Sequence, residues 1–83
     1  MNNAAINNVE EYVGQDLASI GKRIDEMTTW NRVYYKLPNE TIVCLRNDDE
    51  GWNDVFVIDT VNNSEHIVGG QYDNGPFNIG EFY

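Results

Sequence analysis

The stretches Ile42-Val43-Cys44-Leu45 and Val55-Phe56-Val57-Ile58 are the two continuous apolar runs of the chain, and they decide its fold. Side chains of a strand point to alternate faces, so runs that are apolar at every position place apolar groups on both faces. The segment between them, residues 47–54, is acidic and contains Gly51, which is typical of a hairpin loop. The sequence therefore predicts a central β-hairpin, both faces of which must be removed from water.

Strand patterns continue on both sides of this hairpin. Residues 32–37 alternate between apolar and polar, and Leu37-Pro38-Asn39-Glu40 is typical of a turn. A shorter strand is predicted around residues 65–69, and Asn74-Gly75 indicates a further turn. These patterns predict an antiparallel β-meander of four to five strands over about residues 32–83. We expect the second face of the hairpin to be covered by a partner or by four residues of the tail: Phe77, Ile79, Phe82 and Tyr83.

An apolar residue recurs every three or four positions near the N-terminus. The stripe consists of Ile6, Val9, Val13, Leu17, Ile20, Ile24 and Met27. This spacing predicts an amphipathic α-helix over about residues 6–28 that packs on the sheet, and it also suits a helix–helix contact in a homo-oligomer. The expected fold is α+β, a single domain of residues 1–83 with one N-terminal amphipathic helix packed on the meander.

Charge is distributed unevenly along the 83 residues. Residues 1–46 contain six acids and all five bases, a net of −1, whereas residues 47–83 contain eight acids and no base, a net of −8. Direct contact with nucleic-acid phosphates or an anionic membrane is therefore disfavoured, and a protein partner with a basic surface is favoured. The alternative is that the acidity only keeps a small protein in solution.

Other features of the sequence limit the location and chemistry of the protein. A single cysteine excludes an internal disulfide, the first residues do not have the pattern of a signal peptide, and no apolar run approaches the ~20 residues that span a bilayer. We expect a soluble cytoplasmic protein with no cofactor and no metal. Cys44 lies in an apolar run and His66 is the sole histidine, so we expect no enzyme activity.

The acidic second half contains the candidate binding residues. They are Asp48, Asp49, Glu50, Trp52, Asp54, Asp59, Glu65 and Asp73. Trp52 is the predicted anchor, because an aromatic residue ringed by charge is common at protein interfaces; the alternative is that it folds back over the hairpin. If these residues form the contact face, we expect four basic residues to lie away from it: Lys22, Arg23, Lys36 and Arg46.

Two functions fit these observations. In the first, the protein is an inhibitor that occupies a basic, nucleic-acid-binding surface of a target, with carboxylates in place of phosphates. In size and acidity the chain resembles phage-encoded inhibitors of host nucleases and defence systems, a likeness of composition that implies action in the cytoplasm of a host cell. In the second, it is an assembly subunit, for example of a virion, in which the helix and the second sheet face are buried between copies.

Overall fold

A computed structural model of the protein describes residues 3–80, and its centre is one six-stranded sheet. The strands follow chain order across the sheet, and every neighbouring pair is antiparallel. Their bounds are Lys22–Arg23 (β1), Arg32–Lys36 (β2), Ile42–Asn47 (β3), Trp52–Asp59 (β4), Ser64–Tyr72 (β5) and Asn78–Ile79 (β6). Helical structure is limited to Asn3–Asn7 (α1), a single 3₁₀ turn at Glu10–Tyr12, and Leu17–Ile20 (α2).

The predicted helix over residues 6–28 is wrong, and with it the expectation of a long helix packed on four to five strands. The chain turns at Gly14, whose φ of +91° lies outside the helical region. Helix α2 then starts afresh, because the side chain of Asp16 accepts a hydrogen bond from the backbone N–H of Ala18. It ends at Gly21, which has an extended ψ of 162°, and the chain continues directly into β1. The stripe with helical spacing is thus divided among two short helices, the flanks of the 3₁₀ turn and the segment that follows β1.

The central strands were predicted more accurately than the helix. The predicted strands correspond to β2, β3, β4 and β5, although β4 already starts at Trp52, within the predicted loop of residues 47–54, and β5 runs on to Tyr72. Strand β1 was missed because its two residues were assigned to the helix. A bulge opposite Val55 and Phe56 leaves Val68 unpaired in the register, and this side chain is buried in the core.

The N-terminal segment covers one face of the sheet, which we call the core face. Buried side chains of the central strands there include Val43, Leu45, Val55 and Val57, and they form one cluster with Val9 and Leu17 of the N-terminal segment. Since side chains alternate along a strand, Cys44 and Phe56 point to the opposite face, which we call the open face. Both are buried, yet neither belongs to the core cluster.

Phe77 lies in the core cluster and not on the open face, which corrects the expectation that the tail covers the second face of the hairpin. Its carbonyl accepts a hydrogen bond from the N–H of Gly14 and its N–H donates to the carbonyl of Gln15, both at 2.8 Å. Ile79 packs against the same cluster, whereas Phe82 and Tyr83 lie outside the described residues. The segment before β6 therefore closes the core together with the N-terminal segment.

We predict that Phe77→Ala destabilises the fold by about 3–5 kcal/mol, because it leaves a cavity at a fully buried site. Val61→Ala is the matched control: Val61 is 90% exposed, so its change should stay within about 0.5 kcal/mol. Urea unfolding followed by tryptophan fluorescence measures both. Equal unfolding midpoints for the two variants would contradict the position of Phe77 in the core.

Candidate functional site

Two arginine side chains cover the open face. The guanidinium carbon of Arg46 lies 4.8 Å from the centre of the Phe56 ring, and that of Arg32 lies 5.6 Å from it. Both distances are within the range of a cation–π contact, and Phe56 is only 7% exposed. Long basic side chains can bury their aliphatic stems while the charged group stays in water. The second apolar face of the hairpin is thus covered from within the chain, by arginine.

The same arginines neutralise two of the predicted binding residues. Arg32 pairs with Glu65 and Arg46 pairs with Asp54, each at 2.9 Å. The hydrogen bond to Glu65 raises the pKa of Arg32 above its ordinary value. Arg46, which is expected to lie away from the contact face, thus contacts Asp54, one of the predicted binding residues. Asp54 and Glu65 are engaged in holding the cover of the open face.

Trp52 lies at the start of β4 and is half-buried, so it belongs to a strand and not to the acidic loop. Its indole N–H donates to Asp54 Oδ1 at 3.0 Å, and its ring meets Tyr72 edge to face with centroids 5.0 Å apart. The ring lies against Gly70 so closely that a Cβ at that position would collide with it. Trp52 thus completes the open face, in line with the alternative that it folds back over the hairpin.

The remaining predicted acids of the second half lie mostly at one end of the sheet. We define the acidic end as the β3–β4 loop residues Asp48, Asp49 and Glu50 together with Asp73. Asp48 orders the loop, because its Oδ1 accepts hydrogen bonds from the N–H groups of Glu50 (2.8 Å) and Trp52 (3.0 Å). Asp73 joins this loop through its own N–H, which donates to the carbonyl of Gly51 at 3.0 Å. Asp49 and Glu50 are exposed.

Asp59 does not belong to this group. It ends β4, at the opposite end of that strand from the β3–β4 loop, and it accepts hydrogen bonds from the N–H groups of Val61 and Asn62. A further hydrogen bond from the Asn62 side chain lowers the pKa of the Asp59 carboxyl. The predicted site is therefore divided: four acids meet at the acidic end, Asp54 and Glu65 form ion pairs, and Asp59 caps a distant turn.

Sequence reasoning missed a groove on the core face beside the acidic end. The groove has a volume of about 360 Å³. It is lined by Asp16, Ala18, Trp30, Val33, Tyr35, Leu45, Asn47, Asn53, Gln71, Asp73 and Asn74. Trp30 is 92% exposed, and the signal available in the sequence was a tryptophan flanked by Thr29 and Asn31.

Gln71 links the groove to helix α2 and is 1% exposed. Its Oε1 accepts from the N–H of Leu17 at 3.0 Å, and its Nε2 donates to Asp16 Oδ1 at 2.9 Å. These two contacts bridge 54 and 55 positions of sequence, so no local pattern indicates them. They bring Asp16, an acid of the first half, to the groove that borders the acidic end.

The chain matches no protein-family model, no curated protein and no solved structure at a significant level. Among residues 3–80, no helix has the length and apolar character needed to cross a membrane. The histidine, cysteine and acidic side chains of the same residues form no group of three that is able to hold a metal ion.

Because arginine covers the open face, we expect the thiol of Cys44 to be protected from reagents in solution. Burial raises the pKa of this thiol, which is 0% exposed, and Arg32 Nη1 lies 3.9 Å from its sulfur. We predict that Arg32→Ala speeds native-state modification of Cys44 by Ellman's reagent about tenfold, equivalent to ~1.4 kcal/mol of lost protection. Arg23→Ala is the control, because Arg23 lies on the edge strand β1 and pairs with Asp25 instead of covering the open face. Equal rates for wild type and Arg32→Ala would show that arginine does not cover the thiol.

Proposed function

We propose that this protein is a small, non-catalytic acidic inhibitor that occupies a basic, nucleic-acid-binding surface of a target protein. One observation carries the proposal: four of the five basic side chains are paired with acids that do not belong to the acidic end, whose own carboxylates have no ion pair among the described residues. The pairs are Arg23–Asp25, Arg32–Glu65, Lys36–Glu40 and Arg46–Asp54. Four carboxylates without ion pairs therefore meet at this one end, those of Asp48, Asp49, Glu50 and Asp73.

Preorganisation supports this function. The β3–β4 loop is fixed by the two hydrogen bonds to Asp48 and by the N–H of Asp73. Asp73 is itself held through Oδ1, which accepts from Asn53 Nδ2 at 2.9 Å. Carboxylates on a rigid hairpin lose less conformational freedom on binding than carboxylates on a flexible tail. They can therefore take the place of a row of phosphates on a basic surface, in the cytoplasm of a host cell if the protein acts there.

The alternative, an assembly subunit, loses one of its proposed interfaces, since the long N-terminal helix does not exist. The open face still presents Tyr72, which is 62% exposed, beside Trp52. The mass in solution separates the two functions. We predict a monomer of 9.5 kDa by light scattering at micromolar concentration. A stable trimer or larger assembly would favour the assembly subunit.

Capture from host-cell lysate with the immobilised protein tests the inhibitor function. The bound protein should be released by duplex nucleic acid and by salt, because rim charges act through a screened attraction with a Debye length of about 10 Å at 0.1 M. An uncharged polymer at the same mass concentration should not release it. A partner that nucleic acid fails to release would contradict the mimicry.

Charge reversal tests which surface binds. We predict that Asp49→Lys with Glu50→Lys slows association with the captured partner by about tenfold at low salt, because like charges then meet a basic surface. Asp48 is left unchanged because it orders the loop. The control is Glu10→Lys with Glu26→Lys, two exposed acids elsewhere that give the same change of net charge. Surface plasmon resonance measures both rates, and equal slowing by the two double variants would mean that net charge alone is responsible.

A further inference from the structure

The groove beside α2 offers a site that is chemically different from the rest of the acidic surface. Its volume of about 360 Å³ is at the lower end of the range for small-molecule pockets, so it suits one side chain and not a folded segment. Val33, Tyr35 and Leu45 supply apolar lining, and Trp30 contributes an exposed aromatic face. The apolar lining can therefore contact an aliphatic stem, and the aromatic face can contact a planar or cationic group.

The hydrogen-bond donors of the buried amides around this groove are already used within the protein. Asn53 Nδ2 donates to the Gln71 carbonyl (3.2 Å) and to Asp73 Oδ1 (2.9 Å). Gln71 Nε2 donates to Asp16 Oδ1 (2.9 Å) and to the Tyr72 carbonyl (3.4 Å). Each amide has two N–H groups, so neither has a donor left for a ligand. These two buried amides therefore offer a ligand no hydrogen-bond donor.

The carboxylate acceptors at the groove, in contrast, are only partly used within the protein. Asp16 and Asp73 are each engaged through Oδ1, and within residues 3–80 neither Oδ2 accepts a hydrogen bond. Neither carboxylate is in an ion pair with the described bases. The groove therefore presents negative charge and unused lone pairs next to an aromatic face, and an anion would be repelled.

We propose that this groove receives one cationic side chain of the basic partner, with arginine preferred over lysine. The proposal rests on the proposed function. Arginine matches the lining because its planar guanidinium stacks on an indole and donates to carboxylates in a fixed fork, while its stem covers apolar surface. Trp30, and not Trp52, is then the aromatic anchor of the interface, with Asp16 and Asp73 as the carboxylates that select the charge.

Nuclear magnetic resonance with a short probe tests this inference. The probe is the blocked tripeptide Gly-Arg-Gly, and its matched control contains citrulline, which has the same shape without the charge. We expect the arginine peptide to shift the Trp30 indole and Gln71 side-chain amide signals saturably, with a Kd at least tenfold lower than that of the citrulline peptide. Equal affinity for the two peptides, or shifts confined to Trp52 and Tyr72, would overturn the proposal. So would tighter binding of a neutral disaccharide.

Three variants identify the residues involved. Trp30→Ala removes an exposed side chain, and Asp16→Asn retains a residue that caps helices well, so both should stay folded. Each of these, and Asp73→Asn, should raise the Kd of the arginine peptide at least fivefold. Asp59→Asn removes one charge at the far end of β4 and should leave that Kd unchanged. Equal effects of Asp59→Asn and Asp73→Asn would show a general charge effect and overturn the groove.

The captured partner separates this inference from the proposed function. If Trp30→Ala leaves partner binding intact while Asp49→Lys with Glu50→Lys weakens it, the acidic end binds without the groove and this inference fails alone. If the arginine peptide binds as expected but nucleic acid does not release the partner, the groove stands and the mimicry fails.

Discussion

Both faces of the β3–β4 hairpin carry apolar side chains, and the rest of the structure depends on removing both from water. A chain of 83 residues has little material with which to do so. One face is covered in the ordinary way, by α1, the 3₁₀ turn, α2 and the segment that contains Phe77. The other is covered by Arg32 and Arg46, whose guanidinium groups lie over Phe56. A second apolar layer is therefore not needed.

The two arginines also neutralise part of the negative charge of the protein. An arginine laid over an aromatic ring remains charged, and here each is paired with a carboxylate, Glu65 or Asp54. The middle of the open face is thereby nearly neutral, because the bases of β2 and β3 face acids of β4 and β5. The excess charge is left at the loops, where Asp48 and Asp73 are fixed by hydrogen bonds to the backbone and to Asn53. The same two arginines therefore cover the hairpin and neutralise Glu65 and Asp54, while the acids of the acidic end have no ion pair among the described residues.

The extent to which this structure follows from the sequence differs between local and distant features. Strands β2 to β5 were predictable because alternation, Leu37-Pro38 and Asn62-Asn63 are local signals with a direct physical meaning. The long helix was predicted wrongly because its apolar spacing is regular, although Gly14 and Gly21 lie within it and disfavour a continuous helix. Each glycine costs up to ~1 kcal/mol within a helix, and Asp16 before Leu17 is a typical start of a new one. The signals for this break are therefore present in the sequence itself.

The candidate site was less predictable, for a different reason. The acids of residues 48–50 form one loop in the structure because they are adjacent in sequence, but Asp73 and Asp16 join them through tertiary contacts. The two tryptophans show the limit most clearly, since neither has an apolar side chain beside it in the sequence, where Trp30 lies between Thr29 and Asn31 and Trp52 between Gly51 and Asn53. What distinguishes them is Gly70, located 18 positions after Trp52, which provides a flat surface for that ring.

The connection between Gln71 and Asp16 has a consequence for how the groove would respond to an occupant. One buried side chain accepts from the backbone of Leu17 and donates to the carboxylate that caps α2. A cation at Asp16 Oδ2 would leave these bonds intact, because they use Oδ1 and the amide of Gln71. Occupation of the groove would therefore leave the contact between α2 and the sheet in place and would require no rearrangement of the fold.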